Sequence, residues 1–403
     1  MTPAAPAVAT IAWTDAGQAR TARWRSERGA VAPARVVRAD DSTPADTAYH
    51  LACAGTALLW QGDFHNAQQL LQAMARRIDK SPARKQRKGL AGSGKPALAP
   101  QDAFNRHRLA QSQRARVLGM LLLPVEADYR IGLRRAPDTR PACTHAWGPA
   151  AADGGASVVS LRDLLGMTGA YQWHLKGVEI AALGAPPNNR IHPCYGVFSP
   201  VRGEYVALVA SAPWPQAITD PAGARAFDIG TGTGVLSAVL ARRGIGHLSA
   251  TDQDPRAVAC ARENLARLGL DAQVTVLQAD LFPPGQADLM VCNPPWLPAR
   301  PSAPMEGAVY DEGSRMLLGF LGGVRAHLSA GGQAWLILSD LAEHLGLRSR
   351  AQLLTAFATN GLQVLGRHDA RPEHRKVSDA SDPLHAARAA EVTSLWRLGV
   401  KAD

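Results

Sequence analysis

The chain has 403 residues, 46% of them hydrophobic and 19% charged, enough for two domains with ordinary buried cores. No run of about 18 apolar residues occurs, which argues against a membrane-spanning helix. The start carries Arg20, Arg23, Arg25 and Arg28 without a continuous apolar stretch, which argues against a secretory signal.

The net charge of +10 is lopsided: residues 1–200 hold 25 Lys+Arg against 14 Asp+Glu, and the remainder is close to neutral. A basic half of this kind suits an anionic partner such as RNA, and equally an arginine-rich solvated surface. The five cysteines, Cys53, Cys143, Cys194, Cys260 and Cys292, are widely spaced and form no CxxC pair. That pattern predicts neither a disulfide framework nor a metal site and fits a cytoplasmic protein.

Residues 1–45 are rich in Ala, Pro, Arg and Thr without a sustained period and are expected to be an irregular tail. From Asp46 to Asp79 the apolar residues Leu51, Ala54, Leu58, Leu59, then Ala67, Leu70, Leu71 and Met74 fall at helical spacing around the break Gln61-Gly62-Asp63, predicting a helical hairpin. Residues 80–100 are basic and punctuated by Gly and Pro, predicting a linker. Gly89, Gly94 and Lys95 have phosphate-loop spacing there, but Pro96 stands where Ser or Thr is required and Lys85-Gln86-Arg87-Lys88 where a strand is required, so that motif is rejected. Gln101–Val117 and Ser160–Leu183 read as helices, with the apolar run Leu118–Pro124 buried between them. Pro186-Pro187-Asn188-Asn189 marks the expected domain boundary. Residues 46–184 are therefore expected to form a mostly helical, basic N-terminal domain, and 185–403 a second domain.

In the second half the pattern becomes strand, helix, strand, helix. Strands are predicted at 225–229, 247–252, 273–279, 287–292 and 333–339, and helices at 233–243, 254–268, 313–328 and 347–360. Such alternation implies a parallel sheet covered on both faces. Two further strands, Leu362–Asp369 and Glu391–Leu398, joined by a polar connection, are expected to pair antiparallel at its edge.

In open parallel sheets ligands sit beyond the carboxyl ends of the strands, so what each strand ends in is informative. The first ends at Asp228 and runs into Gly230-Thr231-Gly232-Thr233-Gly234, a turn whose glycines let the backbone approach a ligand closely. Val235 occupies the position where a nicotinamide fingerprint requires glycine, which favours a different nucleotide-like ligand. The second ends at Asp252, placed to accept hydrogen bonds from ribose hydroxyls, with Asp254-Pro255 reading as a helix cap. The third ends at Asp280-Leu281, where an acceptor for an adenine amino group would stand.

The fourth ends at Asn293-Pro294-Pro295-Trp296. Two prolines fix a rigid turn, Asn293 and the Pro294 carbonyl offer acceptor oxygens, and Trp296 offers a flat face. Together they describe a receptor for a planar NH2 group.

These elements in this order and spacing resemble the class I S-adenosylmethionine-dependent methyltransferases, and within them the group with an Asn-Pro-Pro-aromatic motif that methylates planar nitrogens. Tyr195-Gly196-Val197-Phe198 and Glu306-Gly307-Ala308-Val309-Tyr310-Asp311-Glu312-Gly313 look most like release-factor glutamine N5-methyltransferases. The resemblance covers roughly residues 190–400. It implies a Rossmann-like seven-stranded methyltransferase sheet, S-adenosyl-L-methionine as cofactor, and an N-terminal domain that docks a protein substrate such as a translation factor.

On this resemblance Asp228, Gly230, Thr231, Gly232, Gly234, Asp252, Asp280, Leu281 and Asn293 bind the cofactor, while Asn293, Pro294, Pro295 and Trp296 carry the catalysis, without a metal. The chain departs from that family in having Trp296 for tyrosine, Glu312-Gly313 for paired glycines and a longer N-terminal half. Ribosomal-RNA guanine N2 and adenine N6 methyltransferases share the same motif, so an RNA or DNA base is the alternative acceptor.

Overall fold

The structure, a computed structural model, describes residues 9–15, 17–89, 98–151, 154–303, 306–372, 379 and 382–401, with side chains outside 81–89. The chain divides into two compact units, Met1–Leu98 with Asn105–Gln172, and Ala99–Phe104 with Trp173–Asp403.

The first unit is built from β1 (Thr10–Asp15), β2 (Gln18–Arg25), β3 (Arg35–Ala39), α1 (Ala45–Cys53), β4 (Thr56–Trp60), α2 (Phe64–Gly89), α3 (Pro100–Leu118), β5 (Leu121–Val125), α4 (Arg140–Trp147), β6 (Ser157–Ser160) and α5 (Leu161–Lys176), the first turn of α3 and the end of α5 belonging to the second unit. Helices outweigh strands here, as expected, but they accompany a six-stranded sheet in the order β1-β2-β6-β5-β4-β3. The expectation of an irregular tail is thus corrected for the described residues of 1–45, which contain β1, β2 and β3. Their pattern is faint because β1 and β2 form an antiparallel edge hairpin in which just Ile11 and Trp24 are buried. An ion pair from Arg38 Nη1 to Asp15 Oδ1, 2.6 Å, joins the two edge strands.

The helical hairpin is also corrected in part. Gly55, at φ +80°, ends α1, and Leu58 and Leu59 lie in β4, whose five residues are all buried. A strand buried on both faces shows no alternation, so its apolar run mimics helical spacing. The expected linker is helical through Gly89 and again from Pro100; residues 90–97, with Gly94, Lys95 and Pro96, lie outside the described residues.

The second unit follows with β7 (Val178–Glu179), β8 (Arg190–Ile191), α6 (Glu204–Ser211), β9 (Arg225–Ile229), α7 (Val235–Arg242), β10 (His247–Asp252), α8 (Pro255–Arg267), β11 (Val274–Gln278), β12 (Ala287–Cys292), α9 (Arg315–His327), β13 (Leu328–Ser339), α10 (Leu341–His344), α11 (Arg350–Thr359), β14 (Leu362–Ala370), α12 (His385–Ala390) and β15 (Thr393–Val400). The boundary expected near Pro186 falls instead before Trp173. Pro186-Pro187-Asn188-Asn189 belongs to the connection inside a small hairpin, where Val178 pairs with Ile191 and Glu179 with Arg190.

Seven strands form one sheet in the order β11-β10-β9-β12-β13-β15-β14. From β11 to β13 the pairings are parallel, and β15 is antiparallel to both its neighbours. Successive side chains on a strand point to opposite faces. Ala226, Leu289, Val291, Trp335 and Ile337 accordingly pack with α6, α7 and α8, while Phe227, Met290, Cys292, Leu336 and Leu338 pack with α9 and α11.

Strand order reverses between β9 and β12, which opens a crevice beyond their carboxyl ends. The connection from β14 to β15, expected to be merely polar, carries α12, and its Leu384 packs with Leu297, Leu341 and Leu345. Among the described residues no helix is long and apolar enough to cross a membrane.

Candidate active site

The turn after β9 is fastened from below. Asp228 is buried, and its Oδ2 accepts hydrogen bonds from Thr231 Oγ1 at 2.7 Å, Ser237 N at 3.0 Å and Ser237 Oγ at 2.6 Å. Burial raises the pKa of this carboxyl, and the three hydrogen bonds oppose the rise. Asp228 therefore ties the turn to α7. It is not on the wall of the crevice, contrary to its expected ligand contact, because its side chain lies buried under the backbone that its Oδ2 supports.

Above it, Gly230 N and Thr231 N both donate to the carbonyl of Thr251, at 2.9 and 2.8 Å, locking the turn to β10. Gly232 has φ +56°, and a Cβ built there would meet nothing within 4 Å. Its missing side chain leaves open space on the ligand side, as a cradle for a closely approaching molecule requires.

Asp252, at the end of β10, lines the same crevice. Its Oδ2 accepts from Gly232 N and its Oδ1 from Asp254 N, both at 3.0 Å, so the carboxylate is pinned beside the glycine turn. Burial raises its pKa, with these backbone hydrogen bonds pulling the other way. Asp254 caps α8 by accepting from Arg256 N at 2.9 Å, the role expected of it. Asp280 and Leu281 reach the crevice after β11, but the Asp280 carboxylate is paired with Arg315 Nη2 at 2.5 Å, at the start of α9. Leu281, at φ +71°, takes a hydrogen bond on its carbonyl from Thr251 Oγ1.

Across from the glycine turn, β12 delivers Asn293-Pro294-Pro295-Trp296 to the wall. Trp296 Nε1 donates to Asn293 Oδ1 at 2.9 Å. Among the described residues nothing donates to the Pro294 carbonyl, so it remains an available acceptor. The face of Trp296 is not bare: the Arg202 guanidinium lies 5.0 Å from the ring centroid. Arg202 is itself held by Glu204 at 2.8 Å and by the buried Glu391 at 3.0 Å. The segment after this turn closes back on it, Leu297 N donating to the Val309 carbonyl and Asp311 N to that of Leu297. Asp311 in turn accepts from Met316 N at 2.8 Å, starting α9.

The crevice encloses about 870 Å³. It gathers Gly230, Thr231, Gly232, Asp252, Asp280, Leu281, Asn293, Pro294, Pro295 and Trp296, leaving Asp228 and Gly234 off its wall. Gly234, at φ +80°, instead lets α7 start against α8, where an added Cβ would stand 3.3 Å from Ala261. The sequence reading missed Arg202, Arg315, Met316, Leu341 and Arg388, which also line it. No local pattern marks them, since Arg202 depends on Glu391, 189 residues away, and Arg388 arrives on α12.

This strand order, with a glycine turn after the first strand and a carboxylate after the second, is the Rossmann-like seven-stranded sheet that the sequence motifs imply. Residues 196–357 match the family model of the methyltransferase small domain, and S-adenosylmethionine is the cofactor of this domain.

A ribosomal protein L11 methyltransferase from Symbiobacterium thermophilum is 35% identical over 91 residues, 23% of this chain and 30% of that protein. A release factor glutamine methyltransferase from Cereibacter sphaeroides is 40% identical over 79 residues, 19% of this chain and 28% of that protein. Among solved structures, a ribosomal protein L11 methylase from Lactobacillus delbrueckii subsp. bulgaricus covers 54% of this chain and 90% of its own, at 19% identity and a TM-score of 0.36. The chain spans less than a third of the length of these two curated relatives.

Proposed function

We propose that the protein transfers the methyl group of S-adenosylmethionine to a planar nitrogen of a protein substrate, the N5 amide of glutamine being the first candidate. When bound, the cofactor supplies an electrophilic methyl on a sulfonium sulfur. Gly232 gives it backbone to lie against, and Asp252 is the acceptor for its ribose hydroxyls.

The observation that carries the reading is the Asn293–Trp296 turn sharing one crevice with the glycine turn. An amide nitrogen is a poor nucleophile because its lone pair is delocalised. Asn293 Oδ1 and the Pro294 carbonyl are two acceptors for its two protons, and accepting both draws the nitrogen toward tetrahedral geometry. Rate then comes from orientation and fixed dipoles.

An amide is favoured over a nucleobase by the arginines of the wall. Arg202 is engaged by Glu204 and Glu391, Arg315 by Asp280 at 2.5 Å, and Arg388 by Asp382 at 2.9 Å, so none offers a phosphate an uncompensated charge. Relatives named for a release factor and for ribosomal protein L11 point the same way. On this reading the first unit recognises the substrate and the protein works in the cytoplasm.

The test is labelled-methyl transfer into a cell extract, divided by protease and by nuclease. Label should enter protein, and Asn293→Ala should lower turnover by about 10² to 10³ with a smaller change in cofactor affinity. Nuclease-sensitive label whose yield falls steeply with salt would move the acceptor to RNA or DNA. Normal methylation by Asn293→Ala would remove the role assigned to that residue.

A further inference from the structure

The geometry points to Trp296 as a positioning residue that acts through Asn293: its indole N–H holds the carboxamide in the one orientation that presents oxygen to the acceptor nitrogen. This rests on the reading of Asn293 as the group that receives the acceptor.

A carboxamide has two arms of nearly equal size, one oxygen that accepts and one NH2 that donates, and packing alone distinguishes them poorly. In this chain Oδ1 takes the indole N–H at 2.9 Å, and Nδ2 has no acceptor among the described residues. The indole nitrogen can only donate. Turned over, the carboxamide would aim its NH2 at the indole N–H on one side and at the N–H of the acceptor on the other. Held as it is, Oδ1 keeps a second lone pair for the acceptor.

The donor itself is fixed. Arg202 covers the ring at 5.0 Å, anchored by Glu204 and by the buried Glu391, which also accepts from Ser339 Oγ at 2.7 Å. The ring packs against the cores on both faces of the sheet. Between donor and acceptor stand two prolines whose rings fix the backbone, so the spacing of Asn293 and Trp296 is set by covalent geometry. A phenylalanine would keep the ring and lose the distinction. A tyrosine hydroxyl both donates and accepts, so it would satisfy either orientation.

The experiment uses the full chain with 15N-labelled tryptophan, the Trp296 indole resonance being assigned by its loss in Trp296→Phe. Replacing Asn293 by Leu should move that resonance upfield and speed its exchange with water. In parallel, Trp296 is replaced by benzothienylalanine, an isostere with sulfur in place of N–H, and labelled-methyl transfer into extract protein is measured at saturating S-adenosylmethionine.

The transfer rate should fall by about 10- to 100-fold, by analogy with the loss of outer-shell groups that orient the ligands of a metal. Cofactor affinity should be unchanged, which a merely structural role for the ring would not produce. An indole resonance indifferent to Asn293→Leu, or full activity of the isostere, overturns the inference. If Asn293→Ala is inactive while the isostere is fully active, the inference fails and the reading of Asn293 stands; if Asn293→Ala is fully active, that reading itself fails.

Discussion

Asp252 shows how one residue couples burial to ligand affinity. Its carboxylate is pinned by Gly232 N and Asp254 N beside the open space over the turn, and burial raises its pKa. A hydrogen bond to an ionised acceptor contributes about 1.5–3 kcal/mol, so Asp252→Asn should weaken S-adenosylmethionine binding by roughly 10- to 100-fold. The charged form is the better acceptor. Because its pKa is raised, protonation on acidification begins above the ordinary aspartate value of about 3.9, and affinity should fall there. Equilibrium dialysis across that range should show this fall in the wild type and a flat profile in Asp252→Asn. Superimposable profiles would remove Asp252 from the cofactor site.

Asp252 and Asn293 were legible because strand ends in a parallel sheet point at one crevice. Arg202 was not, because its partner Glu391 is close in space and remote in sequence.

At the scale of the element, two glycines of one turn separate function from folding. Gly232 and Gly234 both have positive φ, +56° and +80°, which costs a non-glycine residue about 1–2 kcal/mol. Beyond that they differ. A methyl at Gly232 meets nothing, so Gly232→Ala should lower the melting temperature modestly and abolish cofactor binding, since the methyl fills the space the ligand needs. A methyl at Gly234 stands 3.3 Å from both Cα and Cβ of Ala261 on α8, so Gly234→Ala should lose more stability. Thermal melts with and without S-adenosylmethionine check both; a Gly232→Ala protein still stabilised by the cofactor would contradict the assignment.

Helix α9 gives a related case. A Cβ at Gly323 would lie 2.1 Å from the Phe282 ring, which stacks on His327 at 4.4 Å, so Gly323→Ala should destabilise by about 1–3 kcal/mol in urea titrations.

Most sheet strands and flanking helices of the second unit were legible to within two or three residues because period 2 and period 3.6 alternate there with clear breaks, although β13 begins five residues before its expected start and α12 was not foreseen. The first unit hid its sheet for two reasons: β1 and β2 expose most of their side chains, and β4 exposes none.

Across the whole molecule, acid acts on different buried carboxylates with opposite sign. The basic excess of residues 1–200 was plain in the sequence, but the carboxylate that two of its arginines grip was not. In the first unit Asp63 is buried, and hydrogen bonds from Arg135 at 2.6 Å, Arg134 at 2.8 Å and His65 N at 2.9 Å hold its pKa well below the ordinary range. A depressed pKa means stability that is present above the unfolded value of about 3.9 and is lost as pH falls through the folded value.

In the second unit burial raises the pKa of Asp228, Asp252 and Asp311, so their protonation on acidification favours the native state. His174, lowered by burial, works the other way there.

Asp63→Asn keeps a cap for α2 but removes the charge. It should therefore be less stable than wild type near neutrality, and the gap should close as pH falls from about 5 toward 2, because over that range the unfolded wild type takes up a proton at Asp63 that the native carboxylate, held by its arginines, does not. Hydrogen exchange of peptides spanning residues 56–75 and 129–136 reads this difference directly. Curves that stay parallel over that range would show that the two arginines do not stabilise the first unit through Asp63.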